Sequence, residues 1–104
     1  MHALIENARE QIATLCRDYG VKRLEVFGSA LRDDFDISHS DIDVVVEFDS
    51  KAPGSGLHRY FDLKAQLEGL LGRPVDIVEL QAMENSRLKR IIERTKVPLY
   101  AAPA

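Results

Sequence analysis

The sequence predicts an α/β fold, a small mixed sheet flanked by helices, and three observations carry that expectation. Short stretches of helical and strand periodicity alternate in the order α-β-α-β-α-β-α. The chain has 104 residues, the size of one domain, so residues 1–104 read as a single unit. With 45% hydrophobic and 30% charged residues, it has the composition of an ordinary globular protein with a real core.

The elements follow in order. Ile5, Ala8, Ile12, Leu15 and Tyr19 recur at helical spacing through residues 3–19, and Gly20 supplies a left-handed stop. Residues 21–27, VKRLEVF, alternate and are rich in branched and aromatic side chains, so they read as a strand ending at Gly28. Ser29 can cap a short helix through about Arg32, and the polar stretch 33–40 reads as a loop. Residues 41–48, DIDVVVEF, open on alternating carboxylates and run on as an apolar segment, which suits a central strand covered on both faces.

Pro53, Gly54, Ser55 and Gly56 mark 49–56 as a connection. Leu57, Tyr60, Phe61, Leu63, Leu67, Leu70 and Leu71 then mark a helix over 57–71, stopped by Gly72 and Pro74. VDIVEL, residues 75–80, is a short strand. Residues 85–94 place Leu88, Ile91 and Ile92 on one helical face as core, and VPLYA adds a terminal edge strand in which Pro98 is tolerated. The helix between the second and third strands favours a parallel pair with a right-handed crossover, and the shorter join between the first and second suits an antiparallel one.

A net charge of −3 and a pI near 5.6 exclude the broad basic footprint of a protein that grips nucleic acid through its phosphates. Cys16 is the only cysteine, which excludes an internal disulfide and a cysteine zinc site and fits a reducing cytoplasm. The opening MHALIENARE has no basic flank before a long apolar run, and no later stretch is as long as a membrane span. The expectation is a soluble, cytoplasmic chain.

The chemistry sits in three places. Asp41 and Asp43, two apart on a strand, project from the same face while Ile42 points to the other. Two neighbouring anions at the mouth of an apolar strand repel each other, a cost that a hard divalent cation with oxygen ligands offsets. Asp76 is second in another apolar strand and needs a partner of its own. If that strand lies parallel beside the second, Asp76 comes level with Asp41 and Asp43. Gly28 and Ser29 close the first strand, where glycine admits a phosphate to the backbone and exposed N–H groups attract anions; Arg32 follows about one helical turn later. Taken singly, a Gly-Ser is usually a turn, a D-x-D a solvated strand end, and Asp76 a partner for Arg73 or a lysine. Their conjunction is the specific signal.

An EF-hand reading of Asp34, Asp36 and Ser38 fails because His39 stands where that loop turns on glycine. Asp33, Asp34, Asp36 and His39 read as solvated loop residues, and His2 and His58 have no evident partner.

VFGSALR, then SDIDVVVEF, then VDIVEL, resemble the nucleotidyltransferase superfamily that includes the DNA polymerase beta-like catalytic domain, with its palm-like fold. The resemblance spans nearly the whole chain, and its small size is similar to the minimal nucleotidyltransferases, many of them antitoxins of bacterial and archaeal toxin-antitoxin pairs. It implies that Gly28 and Ser29 hold the triphosphate of ATP, that Arg32 assists, and that Asp41, Asp43 and Asp76 ligate magnesium as the catalytic triad. One departure stands out: eleven residues separate Ser29 from Asp41, where the family pattern has ten.

The implied reaction is transfer of AMP from ATP to a hydroxyl. Two magnesium ions about 3.5–4 Å apart would clamp the attacking and leaving oxygens. Asp76 would ligate the metal nearest the nucleophile and could also take up its proton. The resemblance further suggests a tyrosine of a partner HEPN-domain toxin as acceptor, silenced by AMPylation. The alternatives are a non-catalytic antitoxin that neutralises its partner by covering it, transfer to a small molecule, and an oligomeric structural subunit.

Overall fold

Ile5, Ala8, Ile12 and Cys16 form one buried stripe, and the chain around them coils into α1 (Ala3–Asn7) and α2 (Arg9–Asp18), interrupted at Ala8. The coordinates are a computed structural model that describes residues 3–31, 41–50 and 56–103. Burial pushes the Cys16 thiol up to about 12, against a lowering by Arg17, so it packs as a small hydrophobe. Gly20, at φ 68°, ends α2 and delivers the chain into β1 (Val21–Phe27).

A 3-10 turn over Gly28–Leu31 follows β1, and β2 covers Ile42–Phe48. Helix α3 (Gly56–Leu71), β3 (Val75–Val78), a 3-10 turn over Leu80–Ala82, α4 (Arg87–Thr95) and β4 (Val97–Ala101) complete the order. Ser86 caps α4 by accepting a hydrogen bond from the Lys89 N–H at 3.2 Å.

The four strands form one mixed sheet in the order β3-β2-β1-β4. The β2–β3 pair is parallel, while β1 pairs antiparallel with β2 and with β4. These senses match the expectation from the connections, and Pro98 sits beside a register shift on an edge strand, where its missing N–H is tolerated.

Alternation along the strands divides the sheet into two faces. Leu24 and Val26 of β1, Ile42, Val44 and Val46 of β2, Val75 and Ile77 of β3, and Leu99 of β4 join Leu63, Leu67 and Leu71 of α3 and the α1–α2 stripe in one apolar core. The opposite face carries Glu25, Asp43, Val45, Glu47 and Asp76, with α4 at its side. Glu25 is buried there, and Lys96 Nζ reaches in to donate to its Oε2 at 2.5 Å. Removing Lys96 alone would cost about 3 kcal/mol, since it would strand the carboxylate. Among the described residues, no helix is long and apolar enough to cross a membrane.

Periodicity overstated the core in two helices. Leu57 and Phe61 of α3 are exposed, and on α4 only Ile92 is buried, at 2%, while Leu88 is 58% and Ile91 37% exposed. Each helical residue advances by about 100°, so a short helix that meets the sheet through Ile92 and the Lys96 tether turns Ile91 well away from it.

Candidate active site

The parallel register places Asp43 directly opposite Asp76, with Ile42 opposite Val75 and Val44 opposite Ile77. The Ile42 N–H donates to the Pro74 carbonyl at 3.0 Å and fixes the pairing at its start. Adjacent strands lie about 4.8 Å apart, so two aspartates in register on one face have carboxyls within reach of each other. The two carboxyls act on each other, with Asp43 half-buried and Asp76 exposed.

Asp41 lies just before β2, exposed, and its charge acts on Asp43. Burial, the neighbouring charges of Asp76 and then Asp41, and the hydrogen bond with Asp76 raise Asp43 above the usual carboxylate range. Among the described residues, no three such groups are already gathered closely enough to form a metal cage; the close contact is the Asp43–Asp76 pair.

Gly28 completes the arrangement from β1. Phe27 is the register partner of Asp43, so the next residue turns directly over that carboxylate. Gly28 has φ +77°, and a Cβ built on it would fall 2.8 Å from Asp43 Oδ2. Only glycine supplies both the backbone conformation and the space. Ser29 belongs by its backbone to the 3-10 turn, its side chain lying outside the described residues, as does Arg32 together with the rest of 32–40.

Three positioning residues were missed at the sequence level. β3 is an edge strand, and its outward backbone groups are satisfied by α3: the Tyr60 hydroxyl donates to the Ile77 carbonyl at 3.3 Å, Lys64 Nζ donates to the Val75 carbonyl at 2.6 Å, and Glu68 Oε2 accepts from the Val75 N–H at 2.9 Å. This clamp grips the residues on either side of Asp76. Its signal was present as side chains with hydrogen-bonding tips spaced by four, 60, 64 and 68, along one face of the helix.

The raised Asp43 yields a pH-dependent stability. Because its folded value lies above its unfolded one, Asp43 favours folding below the unfolded value of about 3.9 and loses that contribution as pH rises through the folded value. In metal-free buffer at neutral pH, Asp43→Asn is therefore expected to raise the melting temperature, by roughly 2–5 °C. The gain should vanish below the ordinary carboxylate range. A lower neutral melting temperature in the variant would contradict the crowding.

Residues 8–98 match the family described as the nucleotidyltransferase domain. A protein of Methanocaldococcus jannaschii assigned as a protein adenylyltransferase is 37% identical over 75 residues, 72% of this chain and 73% of that protein. A solved structure assigned as a minimal nucleotidyltransferase superposes with a TM-score of 0.69 at 35% identity, over 90% of this chain and 91% of that one. A structure of a tri-AMPylated Shewanella oneidensis HEPN toxin in complex with its MNT antitoxin superposes with a TM-score of 0.63 over 93% of this chain and 72% of that one. Its 21% identity makes that likeness one of fold alone.

Proposed function

The chain belongs to the nucleotidyltransferase-domain family, and from that premise we propose that it is a magnesium-dependent protein adenylyltransferase, moving AMP from ATP to a tyrosine of a partner HEPN-domain toxin as the antitoxin of the pair. The observation that carries the reading is the meeting of three strands at one point: Gly28, held open by its backbone, against Asp43, itself paired with Asp76. The assigned activity of the Methanocaldococcus relative supports the protein acceptor, and the Shewanella complex suggests its class.

The donors fit magnesium. They are carboxylate oxygens alone, crowded enough that Asp43 resists ionisation, and a hard divalent cation would relieve that crowding. Asp41, Asp43 and Asp76 would hold it. The chemistry such an ion supplies when bound is neutralisation of triphosphate charge and acidification of the acceptor hydroxyl.

The rest falls to the chain's own groups. Gly28 leaves the space in which a phosphate can approach the backbone, with Ser29 and Arg32 as the further triphosphate contacts. The tyrosine oxygen attacks the α-phosphorus, and the bond from that phosphorus to the oxygen of the β-phosphate breaks. Pyrophosphate leaves with the electron pair. Asp76, the exposed member of the pair, takes the phenolic proton. The clamp of Tyr60, Lys64 and Glu68 on β3 holds Asp76 in register for that role.

Incubating the chain with ATP, magnesium and the HEPN-domain toxin and weighing the intact toxin tests the proposal. The toxin is expected to gain the mass of AMP, and only with magnesium present. A toxin of unchanged mass under conditions that silence it would refute transfer.

A further inference from the structure

Helix α4 carries a charge opposite to that of the chain as a whole. Between Arg87 and Lys96 stand five cations and one anion, Glu93, a local net of +4 in a chain whose net charge is −3. Lys96 is committed to Glu25. Arg87, Lys89, Arg90 and Arg94 meet no carboxylate among the described residues.

The same helix exposes Leu88 and Ile91, about one turn apart. At about 100° per residue, Arg87, Arg90 and Arg94 fall on the adjoining outward flank. Aliphatic side chains left in water beside unpaired arginines have the make-up of a protein interface, an apolar anchor with a charged rim, rather than of a solvated helix.

Its position bears on the candidate site. α4 leads into β4, whose first residue, Val97, pairs with Val26, next to Phe27 and hence to Asp43. The helix thus ends at the carboxylate end of the sheet. Between α4 and the sheet lies a cleft of about 240 Å³ lined by Arg23, Glu25, Val45, Glu47, Lys89 and Glu93 among others, on the sheet face that carries Asp43, which itself lies beyond the lining.

We propose that α4 is the docking helix for the protein acceptor and that it engages a partner surface on which carboxylates surround an apolar pocket. The proposal rests on the reading of the chain as a protein adenylyltransferase. Leu88 and Ile91 enter the pocket, and Arg87, Arg90 and Arg94 meet the carboxylates around it. The docked partner can then lay a hydroxyl-bearing segment along the cleft toward Asp43.

Charge complementarity selects this occupant. A nucleic acid would neutralise the arginines but leave Leu88 and Ile91 against water and phosphate. A second copy of the chain meeting through a two-fold contact would set arginine against arginine.

The test uses the HEPN-domain toxin as probe. It compares wild type with Arg87→Glu/Arg90→Glu/Arg94→Glu, with the same three positions changed to lysine, and with Leu88→Ser/Ile91→Ser. Charge reversal is expected to weaken toxin binding roughly 100-fold and raise the KM for toxin, with ATP affinity and kcat at saturating toxin unchanged. The serine pair should weaken binding about 10-fold, and the lysine variant should recover most of the affinity.

Unchanged toxin affinity in the glutamate and serine variants overturns the proposal. So does equal loss in the lysine and glutamate variants, or a wild-type chain that does not bind the toxin. A loss confined to oligonucleotide binding, or to self-association seen by light scattering, also overturns it in favour of those occupants. Charge-dependent binding without AMP transfer keeps the docking surface and sinks the enzyme reading; transfer that is indifferent to α4 does the reverse.

Discussion

Replacing Asp41 and Asp43 together with asparagine will abolish AMP transfer, by a factor on the order of 10³ or more, while leaving a folded chain that still binds its partner. An amide keeps an oxygen but has no charge with which to balance a divalent cation, so a metal bound to such a site is weakly held and poorly placed. The fold does not need these charges. Both side chains lie away from the apolar core, and the crowding that raises Asp43 works against the metal-free chain. Pyrophosphate release at saturating ATP and toxin measures the loss, and circular dichroism reports the fold. A double variant that transfers AMP at the normal rate would remove these residues from the site. One that loses transfer yet neutralises the toxin fully at equal concentration would make covering, not modification, the means of silencing.

Gly28→Val is the second large effect. Beyond blocking the approach of a phosphate to the backbone, the change carries two structural costs. At φ +77° a branched side chain is strained by about 1–3 kcal/mol. Its Cβ would also fall 2.8 Å from Asp43 Oδ2, so the carboxylate must move. ATP affinity is expected to fall at least about 10-fold and transfer on the order of 10²-fold, with a melting temperature several degrees lower. Gly69→Ala is the matched control, because nothing lies within 4 Å of a Cβ there, in the last turn of α3. It should stabilise by roughly 0.5–1 kcal/mol and leave transfer intact. Calorimetry with ATP and magnesium separates the two. Normal ATP affinity in a folded Gly28→Val chain would end the assignment of a phosphate cradle.

Much of the fold was legible because its signals are local. VKRLEVF alternates between a glycine before it and one after it, and it forms β1 over those seven residues. The sense of each strand pair followed from the length and kind of connection. The opposition of Asp43 and Asp76 could be foreseen because a parallel pair whose strands both carry aspartate second brings the two level.

What escaped depends on tertiary placement. Leu88 and Ile91 have the spacing of core residues, yet α4 meets the sheet through so narrow a stripe that both face outward. The clamp on β3 was hidden because Tyr60 counts with the apolar positions of the helix, and nothing singles out Lys64 and Glu68 until β3 is known to be the edge strand beside α3. Asp43 and Gly28 belong to different strands, and the contact that makes glycine necessary there appears only once β1 and β2 are in register.

The central claim is that the carboxylate pair beneath Gly28 serves transfer of a nucleotide rather than of a phosphate. The most direct test supplies the chain and HEPN-domain toxin with ATP labelled either at the α-phosphorus or at the γ-phosphorus, with magnesium. The account predicts α-label on a tyrosine of the toxin and γ-label in released pyrophosphate, with both lost in the Asp41→Asn/Asp43→Asn chain. Label from the γ-phosphorus on the toxin, or a silenced toxin that carries neither label, would contradict it.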